Sequence, residues 1–285
     1  MGEWLVNGLD GLSYGMLLFV VAAGLTLVYG VMSVLNLAHG SLYLAGAYLA
    51  CLLSTGSLLT LGLALAAGIA LGAGGGAALQ LALRPVHRYG HLAEVLVTLG
   101  VALLLADLYS TWTGGAPMPT ITPTVLAGTI PVGDRVYPVY RLTFIAVAAV
   151  LAAGLHLLLR RTTAGIQLRA TVADPDMAAA TGIPTRRVSL AAFAAGGALA
   201  VGGGVLGAPI LGPAPGVDTT VLVLCLTVVV IGGTGSIPAT LGAALLVGMV
   251  HSIGVAAAPL AAPFALVAVM LAVLVLRRRT AVSTA

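Results

Sequence analysis

The residues needed for nucleotide chemistry are incomplete in this sequence. A P-loop binds ATP through a lysine that reaches the nucleotide phosphates. All twelve basic residues of the chain are arginines, so it contains no lysine at any position. The chain therefore holds no Walker A site, and an ATP-driven function requires a partner that hydrolyses the nucleotide.

Other patterns that resemble catalytic or ligand-binding motifs lack the context that gives them meaning. The segment from Gly11 to Gly15 has the letters GxSxG, but a nucleophile elbow acts on a strand-to-helix turn beside histidine and acidic partners. Here it opens an apolar run instead. Cys51 and Cys225 lie inside apolar runs, as small buried hydrophobic residues do. The histidines show no ligand spacing with acidic residues; they are His39, His87, His91, His156 and His251. We therefore expect no catalytic residue, no metal site and no cofactor, and the chain is not predicted to be an enzyme.

Two interruptions between apolar runs carry more information. Each places glycine and serine directly before a new apolar run: Asn36, His39, Gly40 and Ser41 in the first, and Gly232, Gly233, Gly235 and Ser236 in the second. Helix-breaking residues free backbone groups that hydrocarbon cannot satisfy, so such breaks persist only where protein or water covers them. Paired interruptions in the two halves of a chain are typical of a transport pathway. The alternative is an ordinary tight turn at the cytoplasmic face.

Ionisable side chains inside apolar runs are costly and often functional. Asp107 is the deepest of them, and Glu94 lies near the inner end of the same run. Arg141 begins the next apolar run on the side that Asp107 approaches, so an intramembrane Asp107–Arg141 pair is our first expectation. There are two alternatives: Asp107 has a role in a transport pathway, or it lies exposed near the membrane–water interface.

The elements that must position these residues are membrane helices. Hydrophobic residues make up 60% of the chain and charged residues 7%, with 38 glycines, whereas soluble domains are about 25% charged. Small residues let helix backbones approach closely inside a bilayer, and the apolar runs are continuous instead of alternating as in a membrane barrel. The sequence predicts an all-α, polytopic helical bundle, with residues 1–285 forming a single transmembrane domain.

Apolar segments of about 20 residues are long enough to cross a bilayer. We assign them to 11–35, 41–55, 57–83, 93–113, 139–159, 188–208, 218–233, 237–256 and 258–276. Eight or nine of these are expected to be transmembrane segments, because 41–55 and 218–233 are short enough to be halves of broken helices.

The arginines predict the orientation, because Lys and Arg concentrate in cytoplasmic loops. Ten of them fall at Arg84 and Arg88, between Arg160 and Arg187, and at Arg277 to Arg279. This places the amino terminus outside and the carboxyl terminus in the cytoplasm of a multi-pass protein of the cell (inner) membrane.

Two stretches outside the apolar runs are expected to be structured. The outer loop 114–138 is rich in Pro, Gly and Thr and is not predicted to be helical. The cytoplasmic loop 160–187 is predicted to contain a short surface helix over 166–181, interrupted at Pro175 and with Asp174 as an N-cap.

In several of its motifs the chain resembles a family, the LivH-type permeases of branched-chain amino acid ABC importers. The matching residues are Gly24 to Gly30 (GLTLVYG), Asn36 to Gly40 (NLAHG), Thr98 to Gly100 (TLG) and Gly232 to Ser236 (GGTGS). In the cytoplasmic loop, Thr163 to Gly165 and Thr181 to Ile183 are similar to the segment with which the family docks on its ATPase. After GGTGS, the sequence Pro238-Ala-Thr-Leu-Gly242 departs from the family's usual I-P-G-x-x-x-G.

The resemblance implies the ABC importer permease fold and a set of partners. These are two ABC ATPase subunits, a second related permease subunit and a periplasmic or extracellular substrate-binding protein that reaches the loops 114–138 and 209–218. The two interruptions and Thr98 are the candidates for the translocation path. The candidates for coupling to the ATPases are Thr163, Gly165, Arg169, Asp174 and Gly182.

Branched-chain or other hydrophobic amino acids are the implied cargo. Relatives of this family that carry urea, amides or other amino acids leave the substrate open. A secondary carrier or channel for a small solute is the alternative from a different class, and an intramembrane enzyme is a third hypothesis.

Overall fold

The computed structural model describes residues 2–32, 35–133, 135–233 and 236–282 of the chain, without the side chains of residues 32, 263 and 276–282. The helices are α1 (Gly2–Met32), α2 (His39–Leu53), α3 (Leu58–Leu83), α4 (His91–Thr113), α5 (Val139–Arg161), α6 (Thr163–Ala173), α7 (Pro175–Ala180), α8 (Thr185–Gly207), α9 (Val217–Gly232), α10 (Ile237–Ala257) and α11 (Ala262–Val282). Two short strands, β1 (Thr129–Val132) and β2 (Arg135–Pro138), pair in antiparallel register. The predicted all-α membrane architecture is therefore confirmed.

Six helices are long and apolar enough to cross a membrane: α1, α3, α4, α5, α8 and α10. Three shorter apolar helices fall at His39–Leu53, Val217–Gly232 and Phe264–Val275. The first two correspond to the segments that the sequence marked as short. The number of complete crossings, expected to be eight or nine, stays a prediction.

Helix α1 forms the centre of the bundle. The most apolar window of α1 is 89% buried, against 11% for that of α4. Helices α8 and α10 pack closely along α1, and α3 packs on α8. Glycine makes this approach possible: a Cβ on Gly72 of α3 would collide with the carbonyl group of Gly197 on α8. Small residues thus allow the backbone contact that holds a bundle together where water supplies no hydrophobic drive.

The β1–β2 hairpin lies at one end of the bundle, which we call the hairpin end. There Glu3 of α1 forms an ion pair with Arg135 of β2, with 3.3 Å between Oε1 and Nη2. The described residues of the loop 114–138 thus contain no α-helix, as predicted, although Thr124–Leu126 form one 3-10 turn. The sequence did not reveal the strand pairing.

Helices α6 and α7 lie at the opposite end, which we call the basic end. The predicted short helix is confirmed, with its interruption at Pro175: the Asp174 carboxylate accepts hydrogen bonds from the amides of Asp176 at 3.0 Å and Met177 at 2.9 Å. Arg84 and Arg186 line one cavity of about 530 Å³ beside this segment, so separate basic stretches of the sequence converge here.

Candidate translocation path and coupling segment

The first interruption is a re-entrant connection inside the bundle. Helix α1 ends at Met32, and α2 begins at His39. His39 Nε2 lies 2.9 Å from the carbonyl oxygen of Val21, to which it is hydrogen-bonded. Val21 precedes Met32 by eleven residues, or about 16 Å at 1.5 Å per residue. The chain therefore turns back along α1, and α2 begins well inside the bundle instead of at the end of α1.

Hydrogen bonds from a distant helix hold this connection. Asn36 is 3% exposed, and its Oδ1 accepts a hydrogen bond from the Ala38 amide at 3.1 Å. Thr98 of α4 accepts from the Leu37 amide at 3.3 Å and lies 3.3 Å from the Leu35 carbonyl oxygen. Thr98 is itself fully buried. The structure thus brings together two predicted path residues, Asn36 and Thr98, that are separated by 62 positions in the chain.

The start of α2 contacts the start of α9. A Cβ added to Gly40 would collide with the carbonyl oxygen of Asp218 and lie 3.0 Å from Cβ of Leu222. Ser41, 1% exposed, lies next to this contact, and Tyr109 of α4 donates a long hydrogen bond of 3.4 Å to its carbonyl oxygen. Two short helices therefore begin against each other, and glycine is required at Gly40 because no side chain fits there.

Asp218 is a buried acidic residue that sequence reasoning missed. It was assigned to an outer loop, and part of that loop does lie at the hairpin end, where the Met118 amide donates to the Pro213 carbonyl at 3.1 Å. Asp218 itself is 7% exposed and interacts electrostatically with Tyr109. Its position two residues after Gly216 and before a long apolar run was a sequence signal for a helix start, but not for the burial of that start.

The second interruption has a different geometry. Helix α9 ends at Gly232, and a Cβ on that residue would lie 3.0 Å from Cα of Thr240 in the second turn of α10. Gly233 has a φ of +77°, which favours glycine. The Ser236 hydroxyl caps α10 by accepting from the Ala239 amide at 3.4 Å, and Ser236 is exposed. Gly235, the remaining candidate, lies outside the described residues. The break is a tight reversal in which the end of α9 packs on the start of α10.

Both interruptions contact α1 at neighbouring positions. A Cβ on Gly24 would lie 3.2 Å from Cε1 of His39. Two residues further along, the hydroxyl groups of Thr26 and Thr240 are 3.3 Å apart. The breaks do not form one continuous cluster in the described contacts, and α1 is the element that they share.

The coupling candidates occupy α6, α7 and the turn that follows. The Thr162 hydroxyl caps α6 by accepting from the Gly165 amide at 3.2 Å, and Thr163 is the first residue of the helix. Gly165 is buried against the backbone of Leu159, where a Cβ would collide. The Arg169 guanidinium donates to the Leu159 carbonyl oxygen near the end of α5. Gly182, with a φ of +88°, ends the segment.

A cavity of about 420 Å³ joins this segment to the second interruption. Its wall includes Arg160 and Arg169 on one side, Ser236 and Pro238 on another, and Thr26 of α1. Asp174 and Gly182 are exposed and are absent from this wall. Arg169 is therefore the coupling candidate that shares a cavity with Ser236, a candidate residue of the translocation path.

The expected pair between Asp107 and Arg141 is wrong. Arg141 in the first turn of α5 forms its ion pair with Asp10, the ninth residue of α1, because the starts of the two helices lie together at the hairpin end. Asp107 is exposed on α4. Burial and, to a smaller extent, the Asp10 carboxylate raise the pKa of the neighbouring Tyr137 of β2 to about 12, while Arg141 acts in the opposite direction.

Glu94 at the basic end is held by two histidines. It is 3% exposed and contacts His87 Nδ1, while His91 Nδ1 lies 3.7 Å from its second oxygen. Partial burial lowers the pKa of His87, and the adjacent His91 lowers it further. Across the parts of the chain that the structure describes, no three His, Cys, Asp or Glu side chains lie close enough together to hold a metal ion.

Long apolar helices around a central α1 make the chain a multi-pass membrane protein, and short helices that start inside a bundle are typical of a transport pathway. Residues 7–276 match the family described as the branched-chain amino acid transport system permease component. The chain belongs to this family, as the resemblance in its motifs indicated.

Curated relatives match over most of their length. The chain is 27% identical over 265 residues to the high-affinity branched-chain amino acid transport system permease protein BraD of Pseudomonas aeruginosa, covering 88% of this chain and 86% of that protein. It is 27% identical over 264 residues to the corresponding permease protein LivH of Escherichia coli K12, covering 86% and 83%. It is also 31% identical over 217 residues to the probable branched-chain amino acid transport permease protein LivH of Methanocaldococcus jannaschii, covering 72% and 67%. No solved structure matches the chain.

Proposed function

We propose that the chain is the permease subunit of an ATP-driven ABC importer for branched-chain amino acids. The family match over residues 7–276 carries this proposal, and the names of the relatives supply the cargo. The sequence contains no lysine for a P-loop, which supports the assignment of ATP hydrolysis to partner subunits. A second related permease would complete the path, and a periplasmic binding protein would deliver the amino acid.

The basic end faces the cytoplasm in this proposal, because Arg concentrates on that side of a membrane. Arg84, Arg160, Arg169 and Arg186 line cavities there. The hairpin end then faces outward in the cell inner membrane, with the amino terminus outside. The binding protein would meet the β1–β2 hairpin and the adjacent loop 209–216.

The coupling segment would act through Arg169. Two ATPase subunits, one on each permease, would contact the exposed surface of α6 and α7. A displacement of α6 would pull on α5 through the bond between Arg169 and the Leu159 carbonyl oxygen. It would also reshape the cavity that Arg169 shares with Ser236 and Pro238, and so shift α10. ATP binding would thereby favour one of two states of the permease by its differential contacts with them.

The proposed translocation path for the amino acid passes the first interruption. Asn36, His39 and Ser41 place polar groups inside the bundle, and the start of α2 adds a helix N-terminus that favours negative charge. An amino acid carries a carboxylate that this N-terminus suits, whereas the first turn of α9 already carries Asp218. Transporter sites built from interrupted helices use this arrangement.

The test is uptake by the reconstituted assembly. The tagged chain is purified from its native membranes in mild detergent, with the partners that accompany it, and placed in liposomes with ATP inside. We expect two ATPases and a second permease to co-purify, and leucine uptake to require both ATP and the binding protein. Uptake driven by an ion gradient without ATP, by the chain alone, would contradict the proposal and favour a secondary carrier.

A variant tests the coupling step in the same liposomes. Arg169→Ala removes the contact to α5, so leucine uptake should fall at least tenfold while the ATPases still co-purify. Arg161→Ala is the matched control, since Arg161, the last residue of α5, is also an exposed arginine and does not line the cavity. Equal uptake by Arg169→Ala and the unchanged protein would remove Arg169 from the mechanism.

A further inference from the structure

A second polar cavity lies at the hairpin end, outside the interruptions and the coupling segment. It measures about 360 Å³ and is walled by α1, α5, α10 and the turn after α8. Asp10, Tyr14, Arg141, His251 and Ser252 supply its polar groups. This size falls at the lower end of the range of about 300–1,000 Å³ for small-molecule sites.

The charged wall of the cavity has unused hydrogen-bonding capacity. Asp10 and Arg141 form an ion pair, and their side chains remain 32% and 30% exposed. A guanidinium offers five N–H donors and a carboxylate two oxygen acceptors. The contact between them and the neighbouring Tyr137 hydroxyl do not use all of these positions, so donors on Arg141 and acceptor sites on Asp10 remain available to a ligand that carries both charges.

The remaining walls are ordered and partly apolar. The rings of Tyr14 and His251 stack with their centroids 4.7 Å apart. The Ser252 hydroxyl donates to the Asn7 carbonyl oxygen at 2.9 Å and so fixes α10 against α1. Ile210 and Val255 provide apolar surface beside these groups. The cavity thus presents a cation, an anion and an apolar patch within one small volume.

We propose that this cavity is an outer binding site for a zwitterionic amino acid. The ligand carboxylate binds Arg141, its ammonium group binds Asp10, and its side chain lies against Ile210 and Val255. The identity of the ligand rests on the proposed function, since a branched aliphatic side chain suits the apolar patch. The site would hold the amino acid at the outward end of α1 before it enters the path.

Direct binding tests the site without transport. Radiolabelled L-leucine is titrated onto the purified permease assembly with neither ATP nor binding protein. We expect saturable binding that is at least tenfold weaker in Asp10→Asn and in Arg141→Gln. Arg135→Gln is the matched control, because it breaks the Glu3–Arg135 pair at the same end outside the cavity and should bind leucine normally. Val255→Trp fills the cavity while leaving the ion pair intact, and it should also abolish binding.

Analogues separate direct contact from a structural role. 4-Methylpentanoate, which lacks the ammonium group, should compete with leucine in the unchanged protein at least tenfold more weakly than leucine itself. Asp10→Asn should remove this preference. If the role of Asp10 were only structural, the variant would instead bind leucine and 4-methylpentanoate more weakly by the same factor.

The proposal is overturned if the unchanged protein binds no leucine, if Asp10→Asn and Arg141→Gln bind normally, or if Arg135→Gln loses as much affinity. ATP-driven uptake on the same preparation keeps the two ideas apart: uptake without this binding rejects the site alone, and absence of uptake rejects the importer.

Discussion

The two interruptions share a sequence pattern and differ in structure. The first is buried, with Asn36, His39 and Ser41 each no more than 3% exposed, and it places the start of α2 deep along α1. The second is a tight reversal whose capping residue, Ser236, is exposed. The first depends on α1, α4 and α9, whereas the second depends mainly on the two helices that it joins.

This difference shows what decides the depth of a break. Clustered polar and glycine residues favour a break between apolar helices, but the chain returns into the bundle only where other elements satisfy its freed backbone groups. Thr98 and Val21 supply such partners to the first interruption. At the second, the cap from Ser236 is local. The first interruption should therefore be the more sensitive to substitution.

The largest effect is expected from Gly40→Ala. The new Cβ would collide with the carbonyl oxygen of Asp218, so α2 and α9 must separate. Overpacking costs about 1–3 kcal/mol and occasionally more, and a collision with backbone should fall at the upper end. Thermal unfolding in detergent should show a midpoint lowered by several degrees, with little assembled complex recovered.

Gly242→Ala is the control for this variant. Gly242 also lies in the helix that follows an interruption, but an added Cβ there meets nothing within 4 Å. It should unfold as the unchanged protein does. Equal stability of Gly40→Ala and Gly242→Ala would show that the starts of α2 and α9 are not packed as described.

Much of this arrangement was predictable where the cause is local. The positions of both interruptions followed from polar and glycine residues between apolar runs. The N-cap at Asp174 followed from its place before Pro175, and the structure confirms it.

Features that depend on distant contacts were not predictable. The depth of the first interruption rests on hydrogen bonds to Val21 and Thr98, and nothing near Asn36 reveals them. Arg141 was assigned to Asp107 because it begins the next apolar run on the side that Asp107 approaches, but the packing of α5 on α1 provides Asp10 instead. Asp218 was missed because the burial of a helix start depends on what packs over it.

An intermediate effect is expected from Asn36→Ala. The variant removes the acceptor of the Ala38 amide inside the bundle, and leaving a buried donor unsatisfied costs about 1–3 kcal/mol. The free energy of unfolding, measured by titration with a denaturing detergent in mixed micelles, should fall by that amount. The chain's other asparagine provides the control: Asn7→Ala should have little effect, because Asn7 accepts its hydrogen bond through the main chain. A loss no greater than that of Asn7→Ala would mean that Asn36 does not hold the connection.

The smallest effect is expected from Ser236→Ala. Removing an N-cap costs about 0.5–2 kcal/mol, and Ser236 should fall at the low end, because it is exposed and its bond to the Ala239 amide is long at 3.4 Å. Ser57→Ala is a matched control: Ser57 also caps a helix, with a shorter bond of 3.1 Å to the Thr60 amide, and should cost more in the same titration. If Ser236→Ala instead destabilised the protein as much as Asn36→Ala, the second interruption would be held as firmly as the first. In that case water would not be satisfying the Ala239 amide after the Ser236 hydroxyl is removed. The second interruption would then not be the local, solvent-exposed reversal that distinguishes it from the first.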